Sequence, residues 1–330
     1  MESGPALRAW LAVLGTILVT AACTVVATGP VPSSPAGSGG LEKTSLLIGI
    51  SPTPSSAGVF IADRKGFFKE EGLTVTMETI QAPQAVMPRI LNGDIDVFKG
   101  SYVSLINVQG SGTARLKILY DALQASPGIA GVVVPRDSEL QKAQDLKGKT
   151  IAVNSLNNLG TMSVSAHLKP YGLTPEQVKF VVVDFQNQLV ALKNEQVDAA
   201  WMVEPFLSSA QNAGVRLLLD TNTGPTDKLP IDGWAATEDW VRRHPKTAAA
   251  FQRALAKGQA LAATDRVLLA ETVAGYTQTP KEAAMTMAMG TFPTSLNPTR
   301  IQRVSDLMFE FGYLKNKVDV ASMVAAGPGR

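Results

Sequence analysis

Five short segments gather the side chains best able to hold a small molecule. They are Ser51-Pro52-Thr53-Pro54-Ser55-Ser56, Lys99-Gly100-Ser101-Tyr102, Asn154-Ser155-Leu156-Asn157-Asn158-Leu159-Gly160-Thr161, Asp184-Phe185-Gln186-Asn187 and Trp201-Met202-Val203-Glu204-Pro205. Hydroxyls and amides supply neutral donors and acceptors there, and aromatic rings supply flat apolar walls. The candidate ligand contacts are Thr53, Ser55, Ser56, Ser101, Tyr102, Asn154, Ser155, Gly160, Thr161, Asp184, Trp201, Glu204 and Trp234. Structural roles compete for several of them: Ser55, Ser56 and Thr161 can cap helices, Glu204 can cap the helix after Pro205, and Trp201 and Trp234 can fill core. The segments hold no Arg, and Lys99 is their only base. An anion would therefore depend on helix N-terminal amides at Ser55-Ser56, Ser101 and Gly160-Thr161. Asp184 and Glu204 would repel it and would suit an amine, with Trp201, Tyr102 or Trp234 stacking on a ring. The balance favours a nitrogen-containing or aromatic organic solute.

These segments matter together only if the fold brings them together. Apolar runs at 45–50, 74–80, 95–98, 116–122, 129–134, 150–154, 178–183, 197–201 and 216–219 read as strands. Between them lie helical stretches of about ten residues, the signature of parallel βαβ units. After Trp234 the chain turns mostly helical, over 247–264, 267–276, 281–289 and 299–311. In open α/β sheets ligands sit beyond the carboxyl ends of the strands, which is where the five segments fall. A weak internal repeat lays Ile90, Asn92, Ile95 and Asp96 on Leu192, Asn194, Val197 and Asp198. It predicts two similar α/β units rather than one long sheet.

Composition narrows the chemistry. The 330 residues carry 30 basic and 28 acidic side chains, with no basic run, so nucleic acid is not an expected partner. One cysteine excludes an intramolecular disulfide, and with only two histidines no metal site and no cofactor is expected. His167 and His244 lie outside the five segments, so no hydrolytic triad is expected.

The amino terminus reads as an address. Arg8 precedes an apolar stretch from Ala9 to Ala22, which as a helix would span ~21 Å against a hydrocarbon core of ~30 Å. That suits a signal peptide over 1–22. Thr20-Ala21-Ala22-Cys23 resembles the bacterial lipobox, with Thr20 where Leu is preferred. Cys23 is the expected lipidation site, and the Pro/Gly/Ser-rich stretch over 23–44 the expected lipid-anchored flexible linker.

Four motifs in order resemble one family. They are Gly66-Phe67-Phe68-Lys69-Glu70-Glu71-Gly72-Leu73, Asp145-Leu146-Lys147-Gly148-Lys149-Thr150-Ile151-Ala152-Val153, Asp198-Ala199-Ala200-Trp201-Met202-Val203-Glu204-Pro205-Phe206 and His244-Pro245. Over roughly residues 45 to 310 the chain resembles the taurine/sulfonate and thiamine-precursor class of ABC-transporter solute-binding proteins. The resemblance implies a periplasmic-binding-protein-like type II α/β fold, two lobes joined by two hinge crossings near 127–129 and 229–234. Lobe I would comprise 45–128 and 235–330, and lobe II 129–234. It also implies a lipid-anchored, extracytoplasmic, non-enzymatic protein that hands a small organic solute to permease and ATPase subunits. Two alternatives stand beside it. One is a thiamine-pyrimidine-synthase-like enzyme, whose cysteine-rich iron site has no counterpart in a chain with Cys23 alone. The other is a binding protein that serves a sensor.

Overall fold

The computed structural model describes residues 40–80 and 83–327. The expected signal peptide at 1–22, Cys23 and most of the expected linker lie outside the described residues. Ten strands form two five-stranded sheets: β1 (Ser45–Ile50), β2 (Thr74–Thr79), β3 (Val97–Ser101), β4 (Leu116–Gln124), β5 (Ala130–Pro135), β6 (Thr150–Val153), β7 (Lys179–Val182), β8 (Ala199–Val203), β9 (Val215–Asp220) and β10 (Pro230–Thr237).

The first sheet runs β2-β1-β3-β10-β4 and the second β7-β6-β8-β5-β9. Each begins with three parallel strands, followed by an antiparallel strand and an edge strand. The two halves therefore share one plan. Within it Asp96 and Asp198 have the same task. The Asp96 amide donates to the Leu47 carbonyl at 2.9 Å, and its carboxylate accepts the Leu47 amide at 2.9 Å. The Asp198 amide donates to the Thr150 carbonyl at 2.9 Å, and its carboxylate accepts the Thr150 amide at 2.7 Å. Each Asp ties the strand it precedes to the parallel strand beside it, β1 in one half and β6 in the other.

The crossings run from β4 to β5 and from β9 to β10. The expected boundary after Trp234 thus cuts through β10, a strand of the first sheet that was expected only as a connection. A second correction concerns the linker, expected to stay free to residue 44. Glu42 accepts the Thr247 amide at 3.0 Å, Lys43 pairs with Asp96 at 2.6 Å, and the Thr44 carbonyl accepts the Thr74 amide at 2.8 Å. Charge partners on the body capture these last residues.

Helices cover both sheets. The helix Pro245–Thr264 packs on Ala57–Arg64, where Gly258 and Gly58 let the backbones approach; a Cβ on Gly258 would strike the Gly58 carbonyl. The same helix serves the edge strand β4. Gln252 Nε2 donates to the Leu119 carbonyl at 2.9 Å, and Gln259 Nε2 to the Ala122 carbonyl at 2.6 Å. These caps blunt an edge that would otherwise offer free acceptors to another chain. One apolar cluster joins Leu105 and Ile231 of the first half to Ile151, Met162 and Val164 of the second. No described helix is long and apolar enough to cross a membrane.

Candidate binding cleft

A cavity opens where the carboxyl ends of the parallel strands of both sheets face each other. Its volume is about 100 Å³. That is several times the ~10–15 Å³ that a single water needs, room for a small organic solute.

Its floor in the first half is a buried ion pair. Lys99 on β3 meets Asp232 on β10 at 2.9 Å. Lys99 Nζ also donates to Ser55 Oγ at 2.6 Å and to Thr53 Oγ1 at 3.1 Å, and Ser55 Oγ donates to Asp232 at 2.5 Å. Every donor of the ammonium is used, as burial of a charge requires. The strands bring the pair together because β3 and β10 are antiparallel neighbours, with Lys99 opposite Trp234 and Asp232 opposite Ser101.

The wall in the second half is aromatic and acidic. Phe185 and Trp201 lie at 6.0 Å with tilted rings, and both line the cavity. Trp201 Nε1 donates to Thr221 at 2.9 Å, which fixes the indole. Beside them Glu204 is 4% exposed and accepts the Ser208 hydroxyl at 2.5 Å and amide at 3.1 Å. Burial pushes its carboxyl above the usual range, against the pull of both Ser208 groups. Ala288 and Met289 add an apolar side.

Across one rim the halves touch. Asn158 Oδ1 accepts the hydroxyls of Ser101 at 2.7 Å and Ser104 at 3.0 Å, and Asn107 Nδ2 donates to the Asn157 carbonyl at 3.1 Å. Ser101 also caps its own helix through the Ser104 amide at 3.1 Å, and Asn158 caps the next through the Leu159 amide at 2.5 Å.

Of the candidate contacts, Thr53, Ser55, Ser101, Asn154, Trp201 and Glu204 line the cavity. The remaining seven do not. Ser56 donates to the Ser51 carbonyl, and Ser155 to Leu156. Thr161 closes a capping box with Asn158. Asp184 precedes the helix Phe185–Lys193, whose first residues face the cavity in its place. Tyr102 is buried, its hydroxyl without a partner among the described residues. Trp234 is core, edge-on to Phe251 at 6.4 Å. Gly160 lies flat against Trp201, where a Cβ would come within 2.6 Å of the indole. Gly160→Ala should therefore shift Trp201, lower stability by about 1–3 kcal/mol in thermal denaturation and weaken ligand binding in calorimetry. A variant that melts and binds like the parent would refute this seat.

Asp232, Ser104 and Asn222 also line the cavity and lie outside the five segments; Asn158 and Phe185 lie within them but not among the candidate contacts, and the sequence marks Lys99 only as a lone base. A signal was present: one Lys inside Val97-Phe98-Lys99-Gly100 and one Asp inside Ile231-Asp232-Gly233-Trp234, opposite charges in otherwise apolar runs. Among the described residues no group of three or more His, Cys, Asp or Glu side chains is placed to hold a metal.

Comparison with known proteins agrees with this architecture. The NMT1/THI5 like family matches residues 53–266. The taurine-binding periplasmic protein of Escherichia coli (strain K12) is 25% identical over 219 residues, 66% of each chain. The 4-amino-5-hydroxymethyl-2-methylpyrimidine phosphate synthase of Uromyces fabae is 26% identical over 229 residues, again 66% of each. In both cases the match spans slightly less than two thirds of the relative. The alkanesulfonate-binding protein SsuA from Xanthomonas axonopodis pv. citri bound to MOPS superposes with a TM-score of 0.73 at 20% identity, covering 87% of this chain and 99% of that one. That likeness shows the periplasmic-binding-protein-like fold.

Proposed function

This chain belongs to the NMT1/THI5 like family, and we propose that within it the protein is the extracytoplasmic solute-binding component of an ABC importer. It would capture a small organic solute and present it to permease and ATPase subunits. The observation that carries this reading is the cavity itself, which takes lining residues from both halves, Ser55 and Lys99 on one side and Trp201 and Glu204 on the other. A solute touching both halves binds the closed arrangement better than an open one, and only such differential affinity can drive closure.

Attachment through a lipidated Cys23 belongs to the same proposal. The anchor would keep the captured solute near the permease, and Cys23→Ala should release the protein from membranes in fractionation.

Two relatives pull in different directions, one a periplasmic binding protein and one a synthase. The cavity favours capture. Among the described residues its lining has no histidine or cysteine, and its one amine, Lys99, has all three donors engaged. Titration calorimetry of the purified protein with taurine, alkanesulfonates and aminopyrimidines tests the reading. Saturable one-site binding with the solute recovered unchanged is expected; chemical turnover of the solute would overturn it. Neighbouring permease and ATPase genes, rather than a kinase gene, would separate import from sensing.

A further inference from the structure

Most of the cleft's groups for holding an anion are engaged by the protein itself. Lys99, its one cation among the described residues, is 2% exposed and is held by Asp232 at 2.9 Å, Ser55 at 2.6 Å and Thr53 at 3.1 Å. The helix Tyr102–Gly110 begins at the rim, but Ser101 Oγ occupies the position at its end where an anion would sit. Asn158 Oδ1 does the same for the helix Leu159–Leu168. At the helix Phe206–Asn212 the Ser208 amide is taken by Glu204. Two further helix ends at the cleft, those of Pro54–Ser56 and Phe185–Lys193, carry no side-chain cap, but Asp184 precedes the second. An oxoanion entering this cleft would displace internal partners and meet carboxylates.

The acidic side is less well matched. Asp232 offsets Lys99, which leaves Glu204 as a buried carboxylate whose only partners are the neutral hydroxyl and amide of Ser208. No cation lies within salt-bridge distance of it among the described residues. A carboxylate enclosed with aromatic faces attracts a cation both by charge and through the ring quadrupoles. Phe185 and Trp201 provide those faces in the same wall.

We propose that the cleft selects a compact organic solute bearing a protonated nitrogen, an ammonium or amidinium on an apolar or aromatic body, over an oxoanion of the same size. The nitrogen is set at Glu204 and the body lies on Phe185 and Trp201. This inference rests on the solute-binding reading above and narrows its ligand.

Calorimetry of the full chain with benzamidine, benzamide and benzoate tests it, because the three share one skeleton of a size the cavity admits and differ in charge. The cation should bind at least tenfold more tightly than the amide, and benzoate should give no measurable heat. Glu204→Gln, which keeps an acceptor for Ser208, should erase most of the cation's advantage while the protein still melts cooperatively. Benzoate binding as tightly as benzamidine would overturn the charge preference and leave solute capture standing. An unchanged preference in Glu204→Gln would overturn the assignment of the nitrogen. No heat from any of the three with a folded protein would overturn the inference and leave capture to the titrations with taurine, alkanesulfonates and aminopyrimidines.

Discussion

Lys99→Met should lower the stability of the protein by about 3 kcal/mol or more, read as a fall in its urea midpoint. The cause is what the substitution leaves behind. Asp232 sits beneath the cleft with its side chain only 13% exposed, and without the ammonium it becomes a buried carboxylate held by Ser55 alone. Removing one partner of such a pair is far more costly than replacing both with apolar groups of similar volume. The double variant Lys99→Met/Asp232→Leu should therefore recover most of the lost stability. If the single and double variants melt alike, the pair is not the closed unit described above.

The second large effect is a pH dependence carried by Asp121. This residue lies on β4, is fully buried, and pairs with Arg300 of the helix Pro298–Glu310. Its Oδ1 has no hydrogen-bond partner among the described residues. Burial pushes its carboxyl up to about 7, against the pull of the Arg300 guanidinium. The folded state thus holds a proton that the unfolded chain releases near pH ~3.9. That contribution to stability is complete below about pH 4 and is lost as pH rises through about 7, up to ~4 kcal/mol across the window. Asp121→Asn cannot titrate, so its stability should vary less between pH 4 and 7 than the parent's, by that amount. Parallel stability curves for the two proteins would dismiss Asp121 as the group responsible.

What was legible in the sequence was what local chemistry dictates. The βα units announce themselves through β-branched runs and glycine stops, and the repeat over Asp96 and Asp198 marks a task done twice in the same way. What was hidden depended on partners far along the chain. The strand β10 contains Gly233, Ala235 and Ala236, small residues with little preference for strands, and is fixed by neighbours on β3 and β4 more than a hundred residues earlier. Gly233 is small for a reason visible only in three dimensions, since a Cβ there would come within 2.7 Å of the Tyr102 ring. The helix expected over 281–289 ends at Thr286, although Met287, Ala288 and Met289 are good helix formers. Arg266 stops it by donating to the carbonyls of Ala284, Met285 and Met287 at 3.0, 3.0 and 2.7 Å. This early stop leaves Ala288 and Met289 free to line the cleft.

The place of β10 between β3 and β4 bears on how the chain folds as it is made. All five strands of the second sheet lie in one continuous stretch, from Ala130 to Asp220, and can assemble once that stretch has left the ribosome. The first sheet cannot close until Thr237 emerges, because β4 has no partner in its own sheet other than β10. At the usual pace of translation β4 waits on the order of ten seconds with its apolar face uncovered. The half that is synthesised first is therefore completed last, and in that interval the chain stays open to chaperones.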